Sequence, residues 1–133
     1  DMRARCNRDQ FEQVLTNLIS NAIKYSPAGG AITVSATHLL GSGGEGASEK
    51  VEIRVSDQGT GIPQEHLGRI FEKFYRVETG LTRKTQGTGL GLYICKSIVS
   101  SYGGEIWAES VPGEGTTFII QLPVWKVEAE PAG

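Results

Sequence analysis

Three short runs hold the residue types that could do chemistry. Asn17, Asn21 and Lys24 recur at four and three residues' spacing. Asp57-Gln58-Gly59-Thr60-Gly61-Ile62 and Gly87-Thr88-Gly89-Leu90-Gly91-Leu92 are two glycine-rich clusters. An Asn carbonyl is a hard oxygen ligand, and Mg²⁺ takes one or two protein oxygens with phosphates and waters completing its shell. A lysine beside it would offset phosphate charge. An ionised Asp only accepts hydrogen bonds. It can take one from the exocyclic amine of adenine, whereas guanine presents an oxygen there. Glycines at a helix start leave backbone N–H groups open to a phosphate.

Each run has a plainer explanation. A solvated polar flank explains the Asn/Lys stripe better when the stripe is taken alone. An Asp capping a glycine turn explains Asp57 equally well. Close helix–sheet packing explains glycines at a helix start. The second cluster is no Rossmann fingerprint, since its third glycine is misplaced and no strand leads directly in. It is no Walker A loop, since no Gly-Lys-Ser/Thr follows.

The elements that must position these residues follow from periodicity. Phe11, Val14, Leu15, Leu18, Ile19, Ala22 and Ile23 recur at helical spacing and predict a helix over 9–25. With Asn17 at zero on a helical wheel, Asn21 falls at about 40° and Lys24 at about −20°, while the apolar residues centre near ~130°. The polar line therefore runs beside the buried face, at its lip. Ile32, Val34 and Ala36 alternate with polar residues, as do Val51, Ile53 and Val55, so a half-buried hairpin is expected. Residues 64–71 suggest a short helix and 89–101 a longer one, with Leu90, Ile94, Ile98 and Val99 on one side. Residues 1–6 read as a strand end. Strands over 104–110 and 116–122 close the chain around the turn Pro112-Gly113-Glu114-Gly115. Phe71 and Phe74 read as core. The fold class is α+β: a two-layer α/β sandwich, one mixed, mostly antiparallel sheet with helices on one face. A single domain over 1–133 is expected, with flexible segments at 41–49, 77–87 and 124–133.

Composition bounds the partners. Net charge is −2, which makes no electrostatic case for nucleic acid or an acidic membrane. No apolar run approaches the ~20 residues of a membrane helix, and no secretory signal opens the chain. Cys6 and Cys95 form neither a disulfide framework nor a metal spacing, and a reducing cytoplasm is the simplest compartment. The 18 glycines are about twice the usual ~7%.

Order and spacing carry more than any single run. NLISNAIKYS at 17–26, DQGTGI at 57–62, FEKFYR at 71–76 and GTGLGL at 87–92 resemble the N, G1, F and G2 boxes of sensor histidine kinases. GEGTTFIIQLP at 113–123 resembles that family's last strand. The resemblance covers nearly the whole chain. It implies the Bergerat-type ATP-binding fold shared with Hsp90, MutL and gyrase subunits, closed by a lid over ATP. By motif position, Asn21 would hold Mg²⁺, with Asn17 supporting ion and phosphates and Lys24 meeting phosphate. Tyr25 would pack on the nucleotide. Asp57 would read the adenine amine, with Gly59 and Gly61 letting the base approach. Ile62, Phe71, Tyr75, Leu90, Leu92 and Thr116 would line the nucleotide. Arg76 would reach the γ-phosphate. Gly87, Thr88, Gly89 and Gly91 would supply the lid hinge and phosphate donors. Asn17 and Arg76 are thus the catalytic candidates.

The resemblance also implies partners: a helical dimerisation domain of the same parent that carries the acceptor histidine, and a response regulator receiver domain. It implies a cytoplasmic position, whether or not the parent is an inner-membrane sensor. Superfamily ATPases and anti-sigma serine kinases usually place a glutamate where Asn17 stands, and an amide cannot act as a general base. That disfavours a serine kinase. A degenerate module without nucleotide is disfavoured by the intact Asn21, Asp57 and both glycine clusters. One departure is Gln86, where the family often has glycine. His38 and His66 lack phospho-acceptor surroundings, so the chain by itself is expected not to phosphorylate itself; it reads without a helical hairpin to dimerise and is expected to be monomeric.

Overall fold

The computed structural model describes residues 2–4, 8–24, 26, 29–39, 49–75 and 90–126. The expectations placed on 40–48, on 76–89 and on 127–133 lie outside these. Eight elements follow in chain order: β1 (Met2–Ala4), α1 (Arg8–Lys24), β2 (Thr33–Leu39), β3 (Lys50–Ser56), α2 (Gln64–Leu67), α3 (Gly91–Ser101), β4 (Glu105–Val111) and β5 (Gly115–Lys126).

The long strand β5 organises the sheet. One side pairs with β3 and the other with β4 and then β1, giving the order β1-β5-β3-β2 with β4 also on β5. Every pairing is antiparallel, so the expected mixed sheet is wholly antiparallel among the described residues. The chain past Pro123, expected to be flexible, continues as strand to Lys126, because β1 pairs with it through Val124.

The register sets Val55, Phe118 and Ala108 side by side across three strands, and Ile53, Ile120 and Ile106 in the next row. α1 and α3 cover this face. Val14, Leu18 and Ala22 of α1 and Cys95 and Val99 of α3 are buried. The first two join both α3 residues in one cluster with Ile53, Val55, Phe118, Ile120 and Leu122. Burying each such side chain contributes about 1.5–3 kcal/mol.

Four expectations fail for a geometric reason. β2 is exposed at nearly every position although it alternates in sequence. It is an edge strand with β3 on one side only, and Val34 stays 48% exposed even though it pairs with buried Val55. Ile23, at the last turn of α1, is likewise exposed. The helix expected over 64–71 ends at Leu67, and turns carry the chain on to Phe74. Phe71 is core, packed edge-on against Phe118. Phe74 is not core: its φ of 67° turns the chain and leaves the ring 62% exposed.

Candidate active site

Asp57 stands one residue past the end of β3 and is 9% exposed. Its backbone N–H donates to the Thr116 carbonyl at 2.9 Å. Its Oδ1 accepts the Gly59 N–H at 2.8 Å and the Thr116 N–H at 3.3 Å. Both hydrogen bonds to the carboxylate described here end on one oxygen. The charge is thus anchored from two sides, and Oδ2 remains the oxygen for an incoming donor.

Gly115 makes this seat possible. Its φ is +128°, and a Cβ there would run into the Asp57 carbonyl. Only glycine lets the start of β5 pass this close. Gly61, at φ +76°, is required for a similar reason: a Cβ would meet the Val111 carbonyl and Pro112. The turn between β4 and β5 therefore explains that glycine without any approaching base. The Gly113 N–H donates to the Thr60 carbonyl at 2.8 Å and ties the two loops together.

Ser110, which the sequence reading passed over, is the hub of this cluster and 7% exposed. The Ile62 N–H donates to its Oγ at 2.6 Å. That Oγ donates to the Gly115 carbonyl at 2.9 Å and meets Thr116 Oγ1 at 2.9 Å. Gln64 Nε2 donates to its carbonyl at 2.8 Å. A signal existed: Ile106, Ala108 and Ser110 alternate inward along β4, so a hydroxyl occupies a core position and must find partners.

A second cluster lies between the helices. Asn17, Asn21 and Lys24 are each half-buried along α1, as their place beside the apolar face requires. The Asn17 Nδ2 donates to the carbonyl of Gly91, the first residue of α3, at 3.4 Å. This turns the Asn17 oxygen away from that carbonyl. Cys95 Sγ donates to the Val14 carbonyl at 3.8 Å. Burial pushes the Cys95 thiol up to about 11, while a hydrogen bond to the Asn17 side chain opposes the shift. Gly91 has open space where a Cβ would be. Close packing therefore does not require glycine there.

The structure brings together Asp57, Gly59, Gly61, Ile62 and Thr116, and separately Asn17 and Gly91. Leu90 and Leu92, at the α3 start, are half-buried. Phe71 belongs to the core. Tyr75 is held on α2's side: its hydroxyl meets His66 Nδ1, and the Arg69 guanidinium lies 4.6 Å from its ring centre. Tyr25, Arg76, Gly87, Thr88 and Gly89 lie outside the described residues. Among those described, no cluster of three His, Cys, Asp or Glu forms a metal site.

The family model described as histidine kinase-, DNA gyrase B- and HSP90-like ATPase matches residues 6–126. The sensor histidine kinase WalK of Bacillus subtilis (strain 168) is 45% identical over 130 residues, 98% of this chain and 20% of WalK. The nucleotide-free catalytic domain of the histidine kinase ThkA is 34% identical with a TM-score of 0.71, covering 90% of this chain and 70% of that one. Full-length ShkA, solved in complex with AMPPNP, is 28% identical with a TM-score of 0.71, covering 90% of this chain and 22% of that one. The chain belongs to this family and is the ATP-binding catalytic domain of the sensor histidine kinase kind. It spans about a fifth of the length of the curated relatives it matches.

Proposed function

We propose that this domain binds Mg-ATP through the α1 flank and the Asp57 cluster, and passes the γ-phosphate to a histidine on a separate dimerisation domain of the same parent. A response regulator receiver domain then takes the phosphoryl group. The observation that carries this reading is the buried Asp57 carboxylate, anchored through Oδ1 with Oδ2 left to read an adenine amine.

Phosphoryl transfer asks the protein for positioning and charge neutralisation rather than covalent chemistry. Asn21 suits Mg²⁺, being a half-buried amide one turn from Asn17. The ion, when bound, neutralises phosphate charge. Asn17 keeps its oxygen for the ion and phosphates because its nitrogen is engaged by Gly91. Lys24 and Arg76 meet phosphate. The open space at Gly91 favours phosphate approach over packing as the reason for glycine there. A histidine acceptor is itself a good nucleophile and needs no base at Asn17. Among the described residues no helix is long and apolar enough to cross a membrane. The likeness to sensor kinases is what supports a cytoplasmic catalytic domain of a larger sensor.

Calorimetric titration tests this, using ADP or a non-hydrolysable ATP analogue, with and without Mg²⁺, beside GTP and an Asp57→Ala variant. Adenine nucleotide binding that is lost with GTP and in the variant is the expected result. No binding to well-folded wild type would overturn the reading.

A further inference from the structure

Every hydrogen-bonding site of the Ser110 hydroxyl is occupied. A hydroxyl has one proton to donate and two lone pairs to accept with. The Ser110 proton goes to the Gly115 carbonyl at 2.9 Å, because a carbonyl can only accept. One lone pair takes the Ile62 N–H at 2.6 Å. The contact with Thr116 Oγ1 at 2.9 Å must then use the Thr116 proton, donated to the remaining lone pair. Thr116, itself 6% exposed, has its side-chain proton committed and only lone pairs left. Its backbone N–H is committed to Asp57 Oδ1 as well.

We infer that Ser110 is a positioning residue for base selection: by holding the Thr116 proton it makes Asp57 and Thr116 together a floor of acceptors only. This rests on Asp57 being the base-reading group. Such a floor accepts a base edge that presents an amine. It rejects one that presents an oxygen twice over, since neither Asp57 nor Thr116 has a proton to offer. A buried acceptor facing another acceptor loses its hydrogen bond and keeps the desolvation cost. A loop tie alone would stabilise the fold without touching the choice of base. Deleting its hydroxyl frees the Thr116 proton to rotate toward a 6-oxo base.

The probes are ADP and inosine 5′-diphosphate, whose bases differ in the amine-for-oxygen exchange at C6 and in the proton that the 6-oxo base carries on N1. Each is titrated with Mg²⁺ into wild type, Ser110→Ala and Thr116→Val. Wild type should prefer ADP. In Ser110→Ala the ADP-to-inosine-diphosphate affinity ratio should fall about tenfold, the worth of one hydrogen bond to a base edge. In Thr116→Val, ADP affinity should fall by a similar factor with no gain for inosine diphosphate. A wild type without preference would overturn the Asp57 reading and this inference with it. A preference in wild type that persists unchanged in folded Ser110→Ala would overturn this inference alone. Should Ser110→Ala fail to fold, unchanged ADP affinity in Thr116→Val overturns it equally.

Discussion

Asp57, Ser110 and Cys95 are three buried polar side chains with different accounts. Asp57 accepts two backbone N–H bonds on Oδ1, and Ser110 spends every hydrogen-bonding site it has. Cys95 is fully buried at the α1–α3 contact, and burial raises its thiol from an ordinary value near 9 to about 11. The folded state therefore holds a proton that the unfolded chain releases between those values. The stabilisation is fully present below pH ~9 and is lost as pH rises through ~11, on the order of 2 kcal/mol. Urea unfolding of wild type against Cys95→Ala should show the stability gap narrowing across that window. At pH 7 the thiol should resist maleimide until the chain unfolds, read by peptide mapping. Of these three residues Asp57 was legible beforehand, because a carboxylate before two glycines is a pattern in one dimension. Ser110 was not, because its partners lie 48 residues away at Ile62 and across the turn at Gly115 and Thr116.

At the scale of elements, the site hangs on how β5 enters the sheet. Its first residue, Gly115, passes against the Asp57 backbone in a conformation other residues adopt only with strain. Gly115→Ala should destabilise the domain by about 2–4 kcal/mol and weaken ADP binding, because the new methyl pushes apart the strand ends that seat Asp57. Thermal melting and titration of the same sample check both effects. The helix layer makes the other element-scale prediction. Leu18 has no exposed surface, so Leu18→Ala should cost about 2–5 kcal/mol in chemical denaturation. Periodicity placed α1, α3, β3 and β4 to within a few residues, because their patterns repeat along the chain. It misjudged β2 and the segment after Leu67. Burial of β2 depends on whether a helix covers that edge, and Phe74 turns outward through a backbone dihedral that its neighbours in sequence do not dictate.

For the whole molecule, the proposal places the acceptor histidine on a separate domain. His38 Nε2 lies 3.4 Å from Glu49, and His66 meets Tyr75. The chain incubated with labelled ATP and Mg²⁺ should remain unlabelled and should sediment as a monomer. Added dimerisation domain should be labelled slowly, since no tether raises its effective concentration. Acid-labile label on the chain by itself would contradict this.

The sequence by itself determined the class of the protein. The four boxes in order are local runs, and each run keeps its chemistry wherever the chain goes. It also determined which face of α1 is apolar, because side-chain direction on a helix follows from spacing. Only the tertiary structure decided what those residues meet. Gly115 beneath Asp57 and Phe71 drawn into the core are contacts between distant segments, while Ser110 holding the Thr116 proton and Tyr75 turned onto α2 join residues 6 and 9 positions apart across turns. A hydrogen-bond partner or a forbidden Cβ is a property of position in space, and strand register supplies that position where residue order does not.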